Sequence, residues 1–331
     1  MKILVIGGTK FLGYHLIQSL LLEGFAVTMF NRGVSPNPFS DQVEHISGDR
    51  DDFDAFYSSL HRRNFDAVID LIGYRPEQID AAVRTFRGRI QRYVFISSGQ
   101  VYLVTENRRQ PAREEDYFQP IIACPPGEEA GYEYGIGKRG CEDRLEQAYQ
   151  ENRFPAVRLR CPIIHGPKDY TLRLYSYMVR IQDGHPLIIP EGRDNLIRHI
   201  YVKDVVHAII TILKTPGIKG RAYNVASREV MRLHEFLQLT ARAMGKSLQW
   251  RQISFSRMAE FSLDDSISPF SGYWVSYLDP GRSERELGFK STPLKKWLTE
   301  TVRWFLREYR GGAPENYRLR PGEIKLTRCT N

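Results

Sequence analysis

The sequence is poor in cysteine, with four among 331 residues. Cys124, Cys141, Cys161 and Cys329 are widely scattered, which excludes a disulfide framework and the closely spaced ligands of a zinc site. A run of about 18 apolar residues, as a membrane-spanning helix needs, is also missing. The apolar run at residues 3–6 is too short for the core of a signal peptide. These absences predict a chain without a structural metal or a membrane span, in a reducing, cytoplasmic location.

The sequence also lacks a block of like charges. It has 47 Lys and Arg against 39 Asp and Glu, and the basic residues are spread along the chain, densest between Arg303 and Arg328. Arms that bind nucleic acids usually carry runs of about five or six like charges. The pattern therefore disfavours a nucleic-acid partner and leaves a small anionic molecule as the expected one.

The first third of the chain contains short apolar runs that alternate with helical patterns. The apolar runs begin near residues 2, 26, 43, 67 and 92. Strands that alternate with helices predict right-handed βαβ units and therefore a doubly wound parallel sheet, an α/β fold. A later helix is expected at about residues 131–150, with strands near 156–160 and 223–225.

The pattern becomes less regular after Pro167, where glycine and proline recur. It returns to α/β texture at about residues 203–226. The sequence thus predicts a discontinuous nucleotide-binding domain, residues 1–167 plus 203–226, and a smaller α/β cap that binds the substrate, residues 168–202 plus 227–331. The residues after Gly311 are expected to form an extended tail.

A glycine-rich turn joins the first predicted strand to the first predicted helix. It reads Gly7-Gly8-Thr9-Lys10-Phe11-Leu12-Gly13, in the strand–turn–helix context that a dinucleotide-binding fingerprint requires. Gly7 permits the tight turn and Gly13 permits close packing of the helix on the strand. The helix N-terminus offers N–H groups and a positive dipole to a pyrophosphate. The turn therefore predicts a Rossmann-type site for NAD or NADP.

The acidic residue that usually ends the second strand of an NAD site is absent here. The strand ends instead in Phe30-Asn31-Arg32-Gly33. Arg32 complements the 2′-phosphate of NADP, and Lys10 adds a second positive charge, so the charges favour NADP over NAD. The alternative is that both side chains are solvated surface groups.

A serine, a tyrosine and a lysine are the candidate catalytic residues. Ser98 follows the apolar run that begins at residue 92, and Tyr134 and Lys138 are four residues apart, so they point to one face of a helix. An ammonium group there lowers the pKa of the phenol from about 10 toward neutrality, as a general base acting on a hydroxyl requires. The pair by itself is also compatible with a solvated helix face.

These segments together resemble the extended short-chain dehydrogenases, the NAD(P)-dependent epimerase/dehydratase family. The resemblance rests on the order Gly-Gly-Thr-x-Phe-Leu-Gly, Ser-Ser-x-x-Val-Tyr and Tyr-x-x-x-Lys. Later segments of the family pattern are matched by residues 160–167, 198–205 and 279–289. The resemblance covers residues 2 to about 305.

The resemblance implies a role for each candidate residue. Ser98 is expected to orient the substrate hydroxyl, Tyr134 to exchange its proton, and Lys138 to bind the nicotinamide ribose. The cofactor is expected to contact Gly7, Thr9, Lys10, Phe11, Leu12, Gly13, Arg32, Asp49, Arg50, Leu71, Gly73, Arg75, Ser97, Pro162 and Ile163. The substrate is expected to contact Gln100, His165 and Arg198.

Three of these assignments have structural alternatives. Asp49 could instead cap a helix or stabilise a turn. His165 could be a hydrogen-bonded structural residue. Arg198 could form an ion pair with Asp194 or Asp204.

Two departures from the family pattern narrow the reaction. The sugar 4,6-dehydratases of the family carry Asp-Glu where this chain has Gly99 and Gln100, and the UDP-glucuronate decarboxylases carry Glu at the position of Gln100. Since an amide does not shuttle a proton, both reactions are disfavoured. The resemblance then favours an isomerase, a nucleotide-sugar 4-epimerase that uses transient hydride transfer through a keto intermediate.

Two other functions stay open. One is an oxidoreductase, an NADP-dependent reductase or dehydrogenase of a polyhydroxylated substrate. The other is an RNA-binding protein with a cofactor fold, because residues 7–11, 31–33 and 48–50 also resemble an atypical branch that includes chloroplast epimerase-like proteins associated with RNA. Members of the family commonly form dimers through two helices, here about residues 76–87 and 131–150, so a homodimer is a further expectation.

Overall fold

The computed structural model of the protein describes residues 1–106 and 109–329. The chain divides into two compact units. The first comprises Met1–Ile164, Ile200–Ala226 and Leu278–Ser291, and the second comprises His165–His199, Ser227–Tyr277 and Thr292–Asn331.

A seven-stranded sheet forms the centre of the first unit. Its strands are β1 (Lys2–Ile6), β2 (Ala26–Asn31), β3 (Glu44–Ser47), β4 (Ala67–Asp70), β5 (Arg92–Ser98), β6 (Ala156–Cys161) and β11 (Ala222–Asn224). They are parallel and lie in the order β11-β6-β5-β4-β1-β2-β3. The doubly wound parallel sheet predicted from the alternating apolar runs is confirmed.

Helices cover both faces of this sheet. On one face, α1 (Phe11–Leu22) and α6 (Val202–Lys214) pack against alternate strand residues such as Ile3 and Val5. On the other face lie α2 (Phe53–Leu60), α3 (Pro76–Phe86) and α4 (Glu129–Asn152), against Leu4 and Ile6. Because both faces are buried, the central strands β1 and β4 are mostly apolar, whereas the edge strand β3 is largely exposed and polar. The strand order reverses between β1 and β4, where α/β sheets of this kind bind their ligands outside the carboxyl ends of the strands.

One segment of the first unit differs from the predicted domain boundaries. Residues 278–291, expected in the cap, carry α9 (Gly281–Leu287) and pack with the first unit. The hydroxyl of Ser283 donates to the Asn224 carbonyl at the end of β11 (2.7 Å), and the Tyr223 hydroxyl donates to Glu286 (2.8 Å). These bonds join residues about 60 apart in sequence, so the sequence pattern alone did not reveal them.

The second unit contains short strands and several helices. Its strands are β8 (Leu187–Pro190), β9 (Leu196–Ile197), β12 (Met231–Arg232) and β13 (Trp250–Ile253). Its helices are α5 (Arg173–Gln182), α7 (Leu233–Ala243), α8 (Phe255–Ala259), α10 (Leu294–Arg307) and α11 (Arg320–Arg328). Two further strands, β7 (Ile164–His165) and β10 (Ile200–Tyr201), lie where the chain passes between the units. Within the described ranges, every helix is too short or too polar to cross a membrane.

The described residues after Gly311, up to residue 329, are folded and do not form the extended tail that the sequence predicted. A 3₁₀ turn (Glu315–Leu319) leads into α11, which is held to α5 by charged groups. The Arg180 guanidinium and the Glu323 carboxylate pair at 2.8 Å and are 0% and 1% exposed. Arg320 bonds to the same carboxylate and to Asp183. Charged residues at buried positions hide the amphipathic pattern by which a helix is normally recognised.

We expect Glu323→Ala to destabilise the second unit by about 3–5 kcal/mol, because it leaves the buried Arg180 guanidinium without its counter-charge. The matched change Glu260→Ala removes an exposed ion pair with Arg257 and should cost about 1 kcal/mol or less. Urea denaturation followed by tryptophan fluorescence measures both free energies, because all four tryptophans belong to this unit: Trp250, Trp274, Trp297 and Trp304. Equal losses in the two variants would contradict this assignment.

Candidate active site

The glycine turn after β1 packs directly on the first helix. Gly7 and Gly8 have φ angles of +105° and +109°, a backbone region that favours glycine. A Cβ on Gly13 would lie 2.5 Å from the Gly8 Cα, so the turn closes against α1 only because residue 13 is glycine. The N-cap residue of α1, Lys10, makes no side-chain capping bond to the first turn, and the N–H groups of a helix N-terminus suit an anion. The turn therefore fits the pyrophosphate of a dinucleotide.

Asn31, at the end of β2, ties this strand to the glycine turn. Its side-chain amide donates to the Gly7 carbonyl (3.0 Å), and its side-chain oxygen accepts from the Gly33 N–H (2.8 Å). No role was predicted for Asn31 from the sequence, although an Asn side chain commonly bonds the main chain two residues further on, as it does here. Arg32 follows it and is exposed, so its guanidinium is accessible to a phosphate.

Arg50 was predicted to contact the cofactor, and this prediction is wrong for its side chain. The side chain points into the core, is 5% exposed and forms an ion pair with the fully buried Asp70. The Tyr93 hydroxyl donates to the same carboxylate (2.5 Å). A buried carboxylate needs a counter-charge, and Arg50 supplies it at the end of β4.

The other predicted cofactor residues near Arg50 lie at the surface. The exposed Asp49 accepts from the N–H of Asp51 (2.9 Å), which is the turn role that the sequence left open. Arg75 pairs with Asp51 at 2.6 Å, and both side chains are about half exposed. A pair this exposed is weak, so the Arg75 guanidinium can exchange it for a phosphate.

The remaining predicted cofactor contacts lie at the carboxyl edge of the sheet. Thr9 and Leu12 belong to the glycine turn and the start of α1, Leu71 and Gly73 follow β4, and Pro162 and Ile163 follow β6. Ser97 is different, because its hydroxyl is buried and donates to the Glu142 carboxylate (2.5 Å). Its side chain therefore belongs to the core, so a cofactor contact at this residue would involve its main chain.

Lys138 is buried beside two strand ends. Its ammonium donates to the carbonyl oxygens of Gly73 (2.7 Å) and Ile96 (2.9 Å), and the residue is 3% exposed. Burial lowers the pKa of Lys138 to about 8, because an ammonium loses its hydration when it leaves water. The group is therefore charged at neutral pH and loses its proton as the pH rises above about 8.

Tyr134 lies one turn before Lys138 on α4 and is 39% exposed. Near it, Ser98 ends β5 and caps the 3₁₀ turn Gly99–Tyr102, where its hydroxyl oxygen accepts from the Gln100 N–H (3.2 Å). The Gln100 side chain donates to the Gly131 carbonyl in the first turn of α4 (2.5 Å). Helix α4 and the end of β5 are thereby joined, and Ser98, Tyr134 and Lys138 belong to one unit at one edge of the sheet.

A buried ion pair between Glu142 and Arg160 fixes helix α4, which carries Tyr134 and Lys138, against strand β6. Glu142, one turn after Lys138, accepts three hydrogen bonds from Arg160 of β6 (2.9, 3.1 and 2.6 Å) as well as the bond from Ser97. Burial raises the pKa of the Glu142 carboxyl, and the Arg160 guanidinium more than offsets this, so the pKa is lowered overall. Neither residue was singled out from the sequence, although Tyr134, Lys138 and Glu142 share the spacing of one helix face.

His165, predicted from the sequence to contact the substrate, lies in the core of the second unit. Its Nε2 is 2.7 Å from the Nδ1 of His199, and its ring stacks on Trp297 with centroids 5.3 Å apart. Burial lowers the pKa of His199 to about 3 and the pKa of His165 well below its ordinary value. The expected substrate contact is corrected to the structural alternative, because aromatic rings enclose this imidazole.

Arg198 is half-buried in the second unit. Its guanidinium lies over the Tyr277 ring, 5.3 Å from the centroid, and donates to the Arg228 carbonyl (3.4 Å). Asp194, one of the alternative partners considered from the sequence, pairs instead with His234 (2.7 Å). A planar guanidinium has the geometry to bind an oxyanion in a bidentate manner.

Comparison with known proteins gives relatives of two kinds. The chain is 27% identical to the chloroplast stem-loop binding protein of 41 kDa b of Arabidopsis thaliana, over 74% of this chain and 63% of that protein. It therefore spans less than two thirds of that relative. It is also 22% identical to the 2′-dehydrokanamycin reductase of Streptomyces kanamyceticus, over 95% of this chain and 87% of the reductase.

The fold matches a solved enzyme structure, and a family model matches the sequence. The UDP-glucose 4-epimerase of Thermotoga maritima with UDP-glucose superimposes with a TM-score of 0.71 at 18% identity, over 93% of this chain and 99% of that one. The model of the NAD dependent epimerase/dehydratase family matches residues 3–226, the region of the glycine turn, Ser98, Tyr134 and Lys138. The resemblance stated from the sequence motifs is confirmed, and the chain belongs to the NAD dependent epimerase/dehydratase family.

Proposed function

We propose that this protein is a 4-epimerase of a nucleotide sugar with NADP as its preferred cofactor. The proposal depends mainly on Gln100. Its side-chain amide donates a hydrogen bond to the Gly131 carbonyl at the start of α4. Gln100 stands where the dehydratases and decarboxylases of the family have a glutamate, and an amide cannot transfer a proton. Epimerisation needs proton exchange at one hydroxyl only, so it is compatible with this site.

Tyr134 is the proposed acid–base group. Its exposed phenol can reach a substrate hydroxyl, and the charged Lys138 on the same helix face favours the phenolate form. Ser98 is proposed to orient the substrate. Because its oxygen already accepts the Gln100 N–H, its own hydrogen is available to donate to a substrate oxygen.

The cofactor is proposed to lie across the carboxyl edge of the sheet at the glycine turn. When bound, NADP supplies reversible two-electron oxidation and reduction of the carbinol carbon. The amide groups of residues 11 and 12 would bind the pyrophosphate. Arg32, in place of the acid that binds a ribose 2′-hydroxyl, would bind the 2′-phosphate.

The proposed substrate class follows from the same family. The Thermotoga structure contains UDP-glucose, and Arg198 in this chain carries a planar guanidinium, a group whose geometry suits diphosphate oxygens. We therefore propose Arg198 as the residue that binds the substrate diphosphate.

Incubation with UDP-glucose or another UDP-sugar under anaerobic conditions tests the reaction. We expect the C4 epimer to accumulate, measured by NMR, without free NADPH, because an epimerase returns its cofactor to the starting state. Release of one NADPH for each sugar consumed would show instead a dehydrogenase. A control without protein measures spontaneous change in the sugar.

Substitution of Tyr134 tests the acid–base assignment. Tyr134→Phe should lower kcat by roughly 10²- to 10⁴-fold, because it removes the proton carrier. The matched variant is Tyr132→Phe, two residues earlier on α4, whose hydroxyl donates to the Ile122 carbonyl and has no part in the proposed reaction. Full turnover by Tyr134→Phe would reject the assignment.

Substitution of Arg32 tests the cofactor preference. Arg32→Ala should weaken NADP binding about 10- to 100-fold, as the loss of a charged hydrogen-bonded pair implies, and should leave NAD binding nearly unchanged. Titration calorimetry measures both dissociation constants, with Arg62→Ala, an exposed arginine on the same unit, as the control for net charge. Unchanged discrimination in Arg32→Ala would contradict the proposed phosphate contact.

A further inference from the structure

Tyr74 lies between β4 and α3, on a turn whose main chain is held from two sides. Its N–H donates to the Gln78 side-chain oxygen (2.7 Å). Its carbonyl lies so close to α4 that a Cβ on Gly137 would clash with it. The side chain itself is 45% exposed. A firmly held backbone with an exposed ring places that ring reproducibly at the rim of the candidate site.

The Tyr74 ring contacts both helix residues of the site. Its centroid is 4.5 Å from the Lys138 Nζ and 6.2 Å from the centroid of the Tyr134 ring. On another side, the Phe95 ring centroid is 4.9 Å from the same Nζ. The ammonium is therefore enclosed by two aromatic rings and by its two carbonyl acceptors.

The nearby carboxylates balance the charge of this ammonium only in part, because each is already paired with an arginine. Asp70 is paired with Arg50, and Glu142 is paired with Arg160. Burial raises the pKa of the Cys141 and Cys161 thiols to about 12, so both are neutral at working pH. The titratable and charged groups that face Lys138 from its own and the neighbouring elements are Arg50, Asp70, Tyr74, Tyr134, Cys141, Glu142 and Cys161.

We propose that Tyr74 is a positioning residue of this site, whose ring covers the Lys138 ammonium and holds it as a cation beside Tyr134. The role rests on the proposed function. The negative face of an aromatic ring attracts a cation, most strongly where water is excluded. The ring also keeps water from the ammonium, so it adds attraction at a place where hydration is already lost.

Two substitutions distinguish the attraction of the aromatic ring for the Lys138 ammonium from the exclusion of water by the side chain. Tyr74→Leu keeps an apolar cover and removes the aromatic face, so the charged form of Lys138 loses its attraction and the alkaline limb of kcat should move to lower pH by about one unit. Tyr74→Phe keeps the aromatic face, and its alkaline limb should coincide with that of the wild type. If kcat falls at the same alkaline pH in the two variants, the proposal is overturned.

A spectroscopic titration gives a readout without turnover. The ultraviolet absorbance of phenolate is followed against pH for each protein and for its Tyr134→Phe counterpart, and the difference reports ionisation of Tyr134. Tyr74→Leu should move this ionisation to higher pH, because a less charged Lys138 stabilises the phenolate less. The matched variant Tyr57→Leu removes the ring beside Arg84, 4.3 Å from its guanidinium carbon, and should move nothing.

These measurements also separate the two proposals. Full turnover by Tyr134→Phe rejects the proposed function, whereas the difference titration still tests whether the Tyr74 ring acts on Lys138. No shift in Tyr74→Leu, with Tyr134→Phe inactive, rejects the role of Tyr74 alone. Melting temperatures of all variants show that the folded state is the one measured.

Discussion

The ammonium group of Lys138 is buried at the carboxyl edge of the sheet and donates to two main-chain carbonyls. A buried ammonium is costly unless its N–H groups are bonded, so α4 must lie close to the ends of β4 and β5 at once. That closeness requires glycine at position 137, where any larger residue would clash with the main chain of Tyr74. The same contact places Tyr134 at the accessible end of the helix. The candidate site is thus a consequence of how one lysine is accommodated.

Paired charges beneath the site allow a cation to remain there. Arg50 neutralises Asp70, and Arg160 neutralises Glu142, so the two buried carboxylates hold strands and helix together without attracting the ammonium away from the carbonyls. Breaking either pair would leave an uncompensated charge in the core. The chemistry proposed for Tyr134 therefore depends on residues that never touch a substrate. The stability of the core and the geometry of the candidate site therefore depend on the same buried ion pairs.

Local sequence patterns predicted many features of this protein, but they did not predict whether a polar side chain near a strand end points to solvent or to the core. The glycine turn, Ser98 and the spacing of Tyr134 and Lys138 were recognisable because each depends on residues a few positions apart. Arg50 and His165 were placed at ligands, whereas the structure turns both into cores, toward Asp70 and toward His199. A charged or polar residue near a strand end can face solvent or core, and its partner decides which. Those partners lie 20 or more residues away.

The sequence by itself determined the family, the parallel sheet and the identity of the candidate catalytic residues, because periodicity and short motifs are written in neighbouring positions. Only the tertiary structure decided that residues 278–291 belong to the first unit, that the C-terminal segment is a helix held by buried charges, and that Tyr74 covers Lys138. Each of these depends on contacts between distant parts of the chain. Such contacts form only when folding has removed water and brought the partners together, and no local pattern records them.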